Sequence, residues 1–345
     1  MKVLHVLQSW HFSGAENVVC QIIKMFDQDP NVDMAYTSQD GTIRQALEER
    51  GIKFYPMKKL CHSELSRVIE QYEPDVLHGH DIRGAIESSR FSNKIKVIHT
   101  IHGNDLRMRT FSLKSVLYLF AAQRAGHIFW VSRSCLEEYK FYKLIKNKSE
   151  ILYNVIDSEA VRQKSSGDKN EYHYDVVYIG RLAYPKDPKR LVKVISIVAQ
   201  KLPNVKMAVI GKGDLEDEVK KTAKDLGVDK NIEFLGFMSN PYKVLHDSKI
   251  MLMTSEWEGT PMVALEAVSL GIPIVSTPTD GMKDIITNDT NGYCSNKDNI
   301  LARSIVSLLV DGDKWNSFSK AQQKLNTSIN NVQKYKKKIE LAYKS

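Results

Sequence analysis

Short apolar runs at residues 3–7, 32–37, 76–77, 96–101, 127–131 and 151–152 alternate with stretches at 14–26 and 43–50 whose apolar residues recur at helical spacing. Continuous apolar runs of this length fill strands buried on both faces, and their alternation with helices predicts a mostly parallel sheet covered by helices. The rhythm stops at Gln163-Lys164-Ser165-Ser166-Gly167-Asp168-Lys169-Asn170, which is polar and lacks apolar periodicity. It restarts with runs at 175–179, 205–210, 232–235, 249–253 and 274–275 and with helical stretches at 191–199 and 215–226. The pattern predicts two doubly wound α/β domains, 1–162 and 174–326, joined by a linker at 163–173. Residues 314–345 read as helical, with a turn signal at Asn330-Asn331. Two such domains leave a cleft, and ligands of open α/β sheets bind beyond the carboxyl ends of the strands, so the loops after the strands are where chemistry is sought.

One such loop separates the run at 249–253 from a helix pattern. Thr260 offers an N-cap hydroxyl, Pro261 suits the first helical position, and Met262, Val263, Leu265, Val268 and Leu270 supply an apolar face that ends at Gly271 and Pro273. Glu258 then precedes the helix and Glu266 rides inside it. First-turn amides lack intrahelical acceptors and carry partial positive charge, which makes Thr260 to Val263 a seat for an anionic group beside two carboxylates suited to hydroxyls. The plainer alternative is that Glu258 complements the helix dipole and Glu266 is a solvated helix residue.

The run at 175–179 leads into Gly180-Arg181-Leu182-Ala183-Tyr184-Pro185-Lys186, which carries two cations. Arg181 presents a planar fork to phosphate oxygens and Lys186 a mobile point charge; a salt bridge for Arg181 and a solvated face for Lys186 are the structural alternatives. Gly211-Lys212-Gly213 and Gly236-Phe237-Met238 also follow apolar runs, and their glycines permit close backbone approach.

Composition mainly excludes. The chain has 345 residues, of which 42% are hydrophobic and 26% charged, as in soluble globular proteins. Its longest candidate for membrane insertion, 116–122, falls far short of the roughly 20 residues that span a bilayer. The amino terminus is too short for a secretory signal, so a cytoplasmic location is expected. Cys20, Cys61, Cys135 and Cys294 form no CxxC pair, which argues against a cysteine-ligated zinc. Asp27-Gln28-Asp29 and Asp311-Gly312-Asp313 have the Asp-x-Asp form that holds a divalent ion elsewhere, but both fall at predicted helix ends where aspartate caps and bends chains. The net charge of +8 is evenly spread, yet residues 90–148 hold 12 cations against three anions. Within that segment, Leu106-Arg107-Met108-Arg109 through Phe120 mixes cations with large apolar residues. Residues 106–124 therefore suit an interfacial helix on an anionic membrane; a core helix with a solvated basic side is the alternative. No nucleic-acid partner is expected.

Several segments occur in a telling order: Ser13-Gly14-Ala15-Glu16, Asp75-Val76-Leu77-His78-Gly79-His80, Thr100-Ile101-His102-Gly103, Asn154-Val155-Ile156-Asp157, Gly180-Arg181-Leu182 with Lys186, Gly211-Lys212-Gly213, the Glu258/Glu266 segment, and Thr279-Asp280-Gly281-Met282-Lys283-Asp284-Ile285-Ile286. Together they resemble the retaining glycosyltransferases of family 4 over essentially the whole chain. The resemblance implies a GT-B fold of two Rossmann-like domains, the first binding the acceptor and the second a nucleotide-sugar donor, with residues 327–345 a helix crossing back. It implies that Glu266 binds the ribose, that Arg181 and Lys186 hold the diphosphate, and that the Phe237 region meets the base. Glu258 with Thr260, Met262 and Val263 would hold the transferred sugar and the adjacent phosphate. Gly14 and Gly211 would let backbone approach the donor, and His102 would sit near the reacting centre.

The implied reaction is front-face transfer with retention, in which cations and a helix start carry the charge of the departing diphosphate and neither metal nor cofactor is needed. The expected donor is a UDP-sugar, and the expected acceptor a saccharide, free or on a polyprenyl diphosphate, in bacterial surface-polysaccharide assembly at the inner face of the plasma membrane. Four departures predict altered loop geometry or a bulkier sugar pocket: Ser13 precedes Gly14 where two glycines are usual, while Asp187, Asp280 and Val155 stand where glycine is common. A hydrolysing nucleotide-sugar 2-epimerase of the same architecture and a catalytically silent nucleotide-sugar-binding assembly partner remain as alternatives. A nicotinamide oxidoreductase is disfavoured because residues 7–14 lack the GxGxxG turn.

Overall fold

The apolar runs become strands of two parallel sheets in the computed structural model, which describes residues 1–103 and 105–345. The first sheet contains β1 (Lys2–Val6), β2 (Asp33–Gln39), β3 (Phe54–Met57), β4 (Val76–His80), β5 (Lys96–Ile101), β6 (His127–Trp130) and β7 (Ser149–Ile151), in the order β3-β2-β1-β4-β5-β6-β7. Helices α1 (Gly14–Phe26), α2 (Ile43–Glu48), α3 (His62–Tyr72), α4 (Asp81–Ser89), α5 (Leu113–Arg124) and α6 (Arg133–Glu137) connect them. Leu4, Val6, Leu77 and Val97 are buried against α3, and Ile101, Ile128 and Trp130 against Tyr118 of α5 and Ala85 of α4. Burial on both faces is why these strands are mostly apolar along their length rather than alternating.

The second sheet contains β8 (Tyr174–Ile179), β9 (Met207–Ile210), β10 (Ile232–Gly236), β11 (Ser248–Met253), β12 (Ile274–Ser276) and β13 (Gly292–Cys294), in the order β10-β9-β8-β11-β12-β13. Its helices are α7 (Ser158–Ser166), α8 (Pro188–Ala199), α9 (Glu216–Asp225), α10 (Tyr242–His246), α11 (Met262–Leu270), α12 (Asp280–Ile285), α13 (Asp298–Val310) and α14 (Gly312–Ile329). Val176 and Leu252 pack on α8 and α13, while Val177 and Met251 face α11 on the other side. In each sheet the strand order reverses at one place, between β1 and β4 and between β8 and β11. Such reversals open a crevice at the carboxyl ends of the strands.

The chain divides into two compact units, Met1–Asn154 with Val332–Ser345, and Val155–Asn331. This moves the boundary from the expected 162 to 154, and the expected linker at 163–173 begins inside α7. Val161 of that helix is buried in the second unit's core, and the Tyr172 amide donates to Asp247 Oδ2 at 3.2 Å. The segment reads as a linker because α7 buries only Val161 and Ser165. After the turn at Asn330, α15 (Val332–Lys344) joins the first unit rather than starting at 327. There Tyr343 meets His78, Lys96 Nζ donates to the Tyr343 carbonyl at 3.0 Å, and Lys338 pairs with Glu150.

Both Asp-x-Asp sequences serve the chain's own backbone. Asp311 caps α14 by accepting from the Lys314 amide at 2.9 Å, and Asp29 accepts from the Asn31 amide at 3.0 Å. Among the described residues, no helix is long and apolar enough to cross a membrane.

Candidate active site

In the second unit the loops after β8 and β11 leave the sheet on either side of the reversal, and backbone bonds bind them to their neighbours. The Gly180 amide donates to Ile210 O at 2.9 Å, Leu182 to Lys212 O at 3.0 Å and Gly211 to Gly236 O at 2.7 Å. The loops approach so closely that a Cβ on Gly211, whose φ is +134°, would stand 2.0 Å from the Gly180 carbonyl oxygen. Gly211 is thus required by loop-on-loop packing, whatever lies above it.

The second pair of loops is clamped through side chains. Thr254 Oγ1 donates to the carbonyls of Lys186 at 3.2 Å and Asp187 at 2.9 Å, and the Glu256 amide donates to Pro185 O at 2.9 Å. This brings Lys186 Nζ into a close, partly buried ion pair with Glu258 Oε1, which also accepts from Ser255 Oγ at 2.7 Å. Lys186 is therefore not on a solvated face. Arg181 has no ion-pair partner among the described residues and its side chain is exposed, so the salt-bridge alternative for it does not hold either. Asp187, standing where glycine is common, has φ +43°, in the left-handed region that glycine enters freely and aspartate tolerates better than most residues.

The helix after Glu258 starts later than the sequence suggests. Pro261 has an extended backbone, φ −71° and ψ 117°, and α11 begins at Met262, so Thr260 is not the N-cap residue and Pro261 not the first helical one. The amides of Met262 and Val263 meet no acceptor among the described residues. Gly281 lets α12 come against this loop: a Cβ there would lie 1.7 Å from the Gly259 carbonyl oxygen. Farther along α11, Glu266 Oε1 accepts from the Tyr242 hydroxyl at 3.2 Å. Burial pushes the Glu266 carboxyl up to about 7, against the opposing pulls of that hydrogen bond and of Lys164. Phe237, in the loop after β10, is 75% exposed.

In the first unit, Gly14 opens α1 with nothing within 4 Å of where its Cβ would stand, and buried Glu16 two residues on accepts from Ser13 Oγ. At the reversal between β1 and β4, His5 Nδ1 lies 2.9 Å from His80 Nε2, and His80 Nδ1 lies 2.9 Å from His102 Nε2. His78 beside them is held by Tyr343 Oη and Thr100 Oγ1, each at 2.7 Å. Asp81 accepts the His102 amide at 2.9 Å from a left-handed backbone, φ +53°. Burial lowers the His102 pKa although the charges of Asp81 and Glu16 pull it upward.

The expected site residues thus fall into two groups. The second unit holds Arg181, Lys186, Gly211, Phe237, Glu258, Thr260, Met262, Val263 and Glu266; the first holds Gly14 and His102. Thr254, Ser255, Tyr242, Lys164, Asp81 and His5 are additions that the sequence did not single out. Thr254 and Ser255 had a usable signal, two hydroxyls immediately after an apolar strand. Tyr242 and Lys164 had none, because only the packing of α7 and α10 brings them to α11.

Comparison with known proteins agrees with this architecture. A family model described as glycosyltransferase family 4 matches residues 12–160, and one described as glycosyl transferases group 1 matches residues 159–325. An uncharacterized glycosyltransferase of Methanocaldococcus jannaschii is 26% identical over 69% of the chain and 64% of its own length. The capsular polysaccharide biosynthesis glycosyltransferase CapH of Staphylococcus aureus is 24% identical over 77% of the chain and 78% of its own. The chain spans less than two thirds of the first of these relatives. Among solved structures, Anabaena HepE in complex with UDP superposes with a TM-score of 0.84, covering 99% of this chain and 98% of that one at 18% identity, a likeness of fold.

Proposed function

Since the chain belongs to the family 4 glycosyltransferases and has their GT-B fold, we propose that it transfers a sugar with retention from a nucleotide diphosphate sugar, a UDP-sugar, to a saccharide acceptor in surface-polysaccharide synthesis. The observation that carries this reading is the Lys186–Glu258 pair at the β8/β11 reversal, beside exposed Arg181 and the acceptor-free amides of α11. A carboxylate occupies the cation that a diphosphate would use. On donor binding, Lys186 exchanges Glu258 for phosphate oxygens, and the freed carboxylate turns to hydroxyls of the sugar. Arg181 supplies the second cation, and the charge that develops on the departing diphosphate is met by these two groups and the amides of Met262 and Val263 without a metal. Glu266 accepts from the ribose hydroxyls and Phe237 marks the base, while Gly14 and His102 are the first unit's own candidate site residues. HepE in complex with UDP supports the choice of nucleotide, and CapH the choice of pathway.

The first unit adds a reason to place the acceptor at a membrane. Leu113, Leu117 and Phe120 form one exposed stripe along α5, continued by exposed Leu106 and Phe111. The stripe is apolar rather than basic, and Arg107 and Lys114 both pair with Asp105 at its edge. It suits insertion among lipid headgroups, where a polyprenyl-diphosphate-linked saccharide is presented.

Calorimetric titration with UDP, GDP, CDP and ADP tests the donor site. UDP should bind most tightly, and Arg181→Ala and Lys186→Ala should each weaken it about tenfold, roughly 1.4 kcal/mol. Absence of binding by every nucleoside diphosphate would sink the proposal.

A further inference from the structure

His5, His80 and His102 form a chain of rings linked by two hydrogen bonds of 2.9 Å, and the atoms at its two ends, His5 Nε2 and His102 Nδ1, are buried without a partner among the described residues. Burial holds all three rings neutral, with His5 pushed down to about 3 and His80 and His102 also lowered. Each neutral ring carries one N–H and each of the two bonds consumes one, so the third proton must sit at an end of the chain. Only two arrangements satisfy this. In one, His5 donates to His80, His80 donates to His102, and His102 keeps its proton on Nδ1. In the other every donor is reversed, and the spare N–H lies on His5 Nε2.

The surroundings choose between them. A buried N–H without an acceptor is the costlier kind of orphan, and His5 has no exposed surface at all. His102 is only half-buried, at the strand end beside exposed Gly103, so a local shift that uncovers its Nδ1 to water or a ligand oxygen is open to it and closed to His5. Its backbone is fixed there by Asp81, whose left-handed conformation is the kind of local strain that persists where surrounding bonds hold it.

We infer that His80, backed by His5, is a positioning residue that holds His102 in the neutral tautomer with its proton on Nδ1, so that His102 meets a ligand oxygen as a hydrogen-bond donor and not as a base. That His102 meets a ligand rests on the transferase reading; its tautomer does not. A donor at this place suits a front-face reaction, in which the leaving phosphate rather than a side chain takes the acceptor's proton. The same cluster offers nitrogens of His5, His78 and His80 within 4.8 Å of one another, the spacing of a metal site. His78, however, has both nitrogens committed to Tyr343 and Thr100, and His80 spends both of its own on the chain, so only His5 Nε2 is left uncommitted in the cluster.

The test is long-range proton–nitrogen NMR of the full chain labelled at histidine, with the His102 signals assigned by their loss in His102→Gln. The wild type should show His102 protonated on Nδ1 and bare on Nε2. His80→Leu should convert most of it to the Nε2–H form that free imidazole prefers, whereas His80→Asn, whose amide donates from the place of Nδ1, should preserve the Nδ1–H form. A wild-type His102 protonated on Nε2, an unchanged tautomer in folded His80→Leu, or stoichiometric zinc in the purified protein would each overturn the inference. Should His80→Leu not fold, the wild-type spectrum still decides. Transfer assays separate the two readings: with the tautomer as inferred and kcat lowered at least tenfold in His80→Leu but restored in His80→Asn, both stand. The inferred tautomer with no transfer by any variant removes only the transferase reading.

Discussion

Glu266 is where a single residue's environment has the most measurable consequence. Its carboxyl is raised from about 4.5 to about 7 by burial, so the folded protein favours the protonated form. The stability contributed by that preference is complete below the unfolded value and is lost as pH rises through about 7. A ribose whose hydroxyls donate to Glu266 requires the carboxylate, so nucleotide binding must release a proton below pH 7. UDP affinity should therefore fall several-fold between pH 8 and pH 6 in the wild type, and be weaker and nearly flat with pH in Glu266→Gln. The same variant should melt a few degrees higher than wild type at pH 8 and no higher near pH 4.5. Titration calorimetry and thermal melts at these pH values check both; equal pH dependence in the two proteins would take Glu266 out of the ribose site. The sequence alone made Glu266 a candidate but not a half-buried one, because Tyr242 and Lys164 reach it from helices distant in the chain.

At the scale of elements, legibility followed the density of apolar residues. The central strands β1, β5, β8 and β11 are rich in apolar residues, and their ends fall within a residue or two of the pattern. Edge strands β3 and β13 and the polar helix α3 do not stand out, since each buries only part of one face. The start of α11 shows a different limit. Thr260-Pro261 has the chemistry of a helix cap, but ψ 117° at Pro261 keeps both residues in the loop that approaches Gly281. For α5 the pattern showed a mixed basic and apolar segment, and packing determined which part faces out. That exposed stripe predicts flotation of the protein with vesicles of anionic phospholipid at moderate salt. Replacing Leu113, Leu117 and Phe120 together by Ser should reduce the floated fraction severalfold without lowering UDP affinity. Absence of the wild type from the vesicle fraction would contradict the membrane reading.

For the whole molecule, two units of like architecture each place their candidate residues at a strand-order reversal, Lys186 and Glu258 in one, His80 and His102 in the other. The repetition of strand and helix in the sequence predicted both units, while the boundary between them was misplaced because α7 is polar on most of its surface. The order of the motifs carried the family, and the geometry added the Lys186–Glu258 ion pair that the motifs do not show. The most direct test of the central claim is transfer followed by proton NMR, with UDP-glucose and UDP-N-acetylglucosamine as donors, a saccharide acceptor, and EDTA throughout. A product of retained anomeric configuration, formed at an undiminished rate in EDTA and at least a hundredfold more slowly by Glu258→Ala, is the predicted result. An inverted product, loss of activity in EDTA reversed by magnesium, or wild-type rates from Glu258→Ala would contradict it.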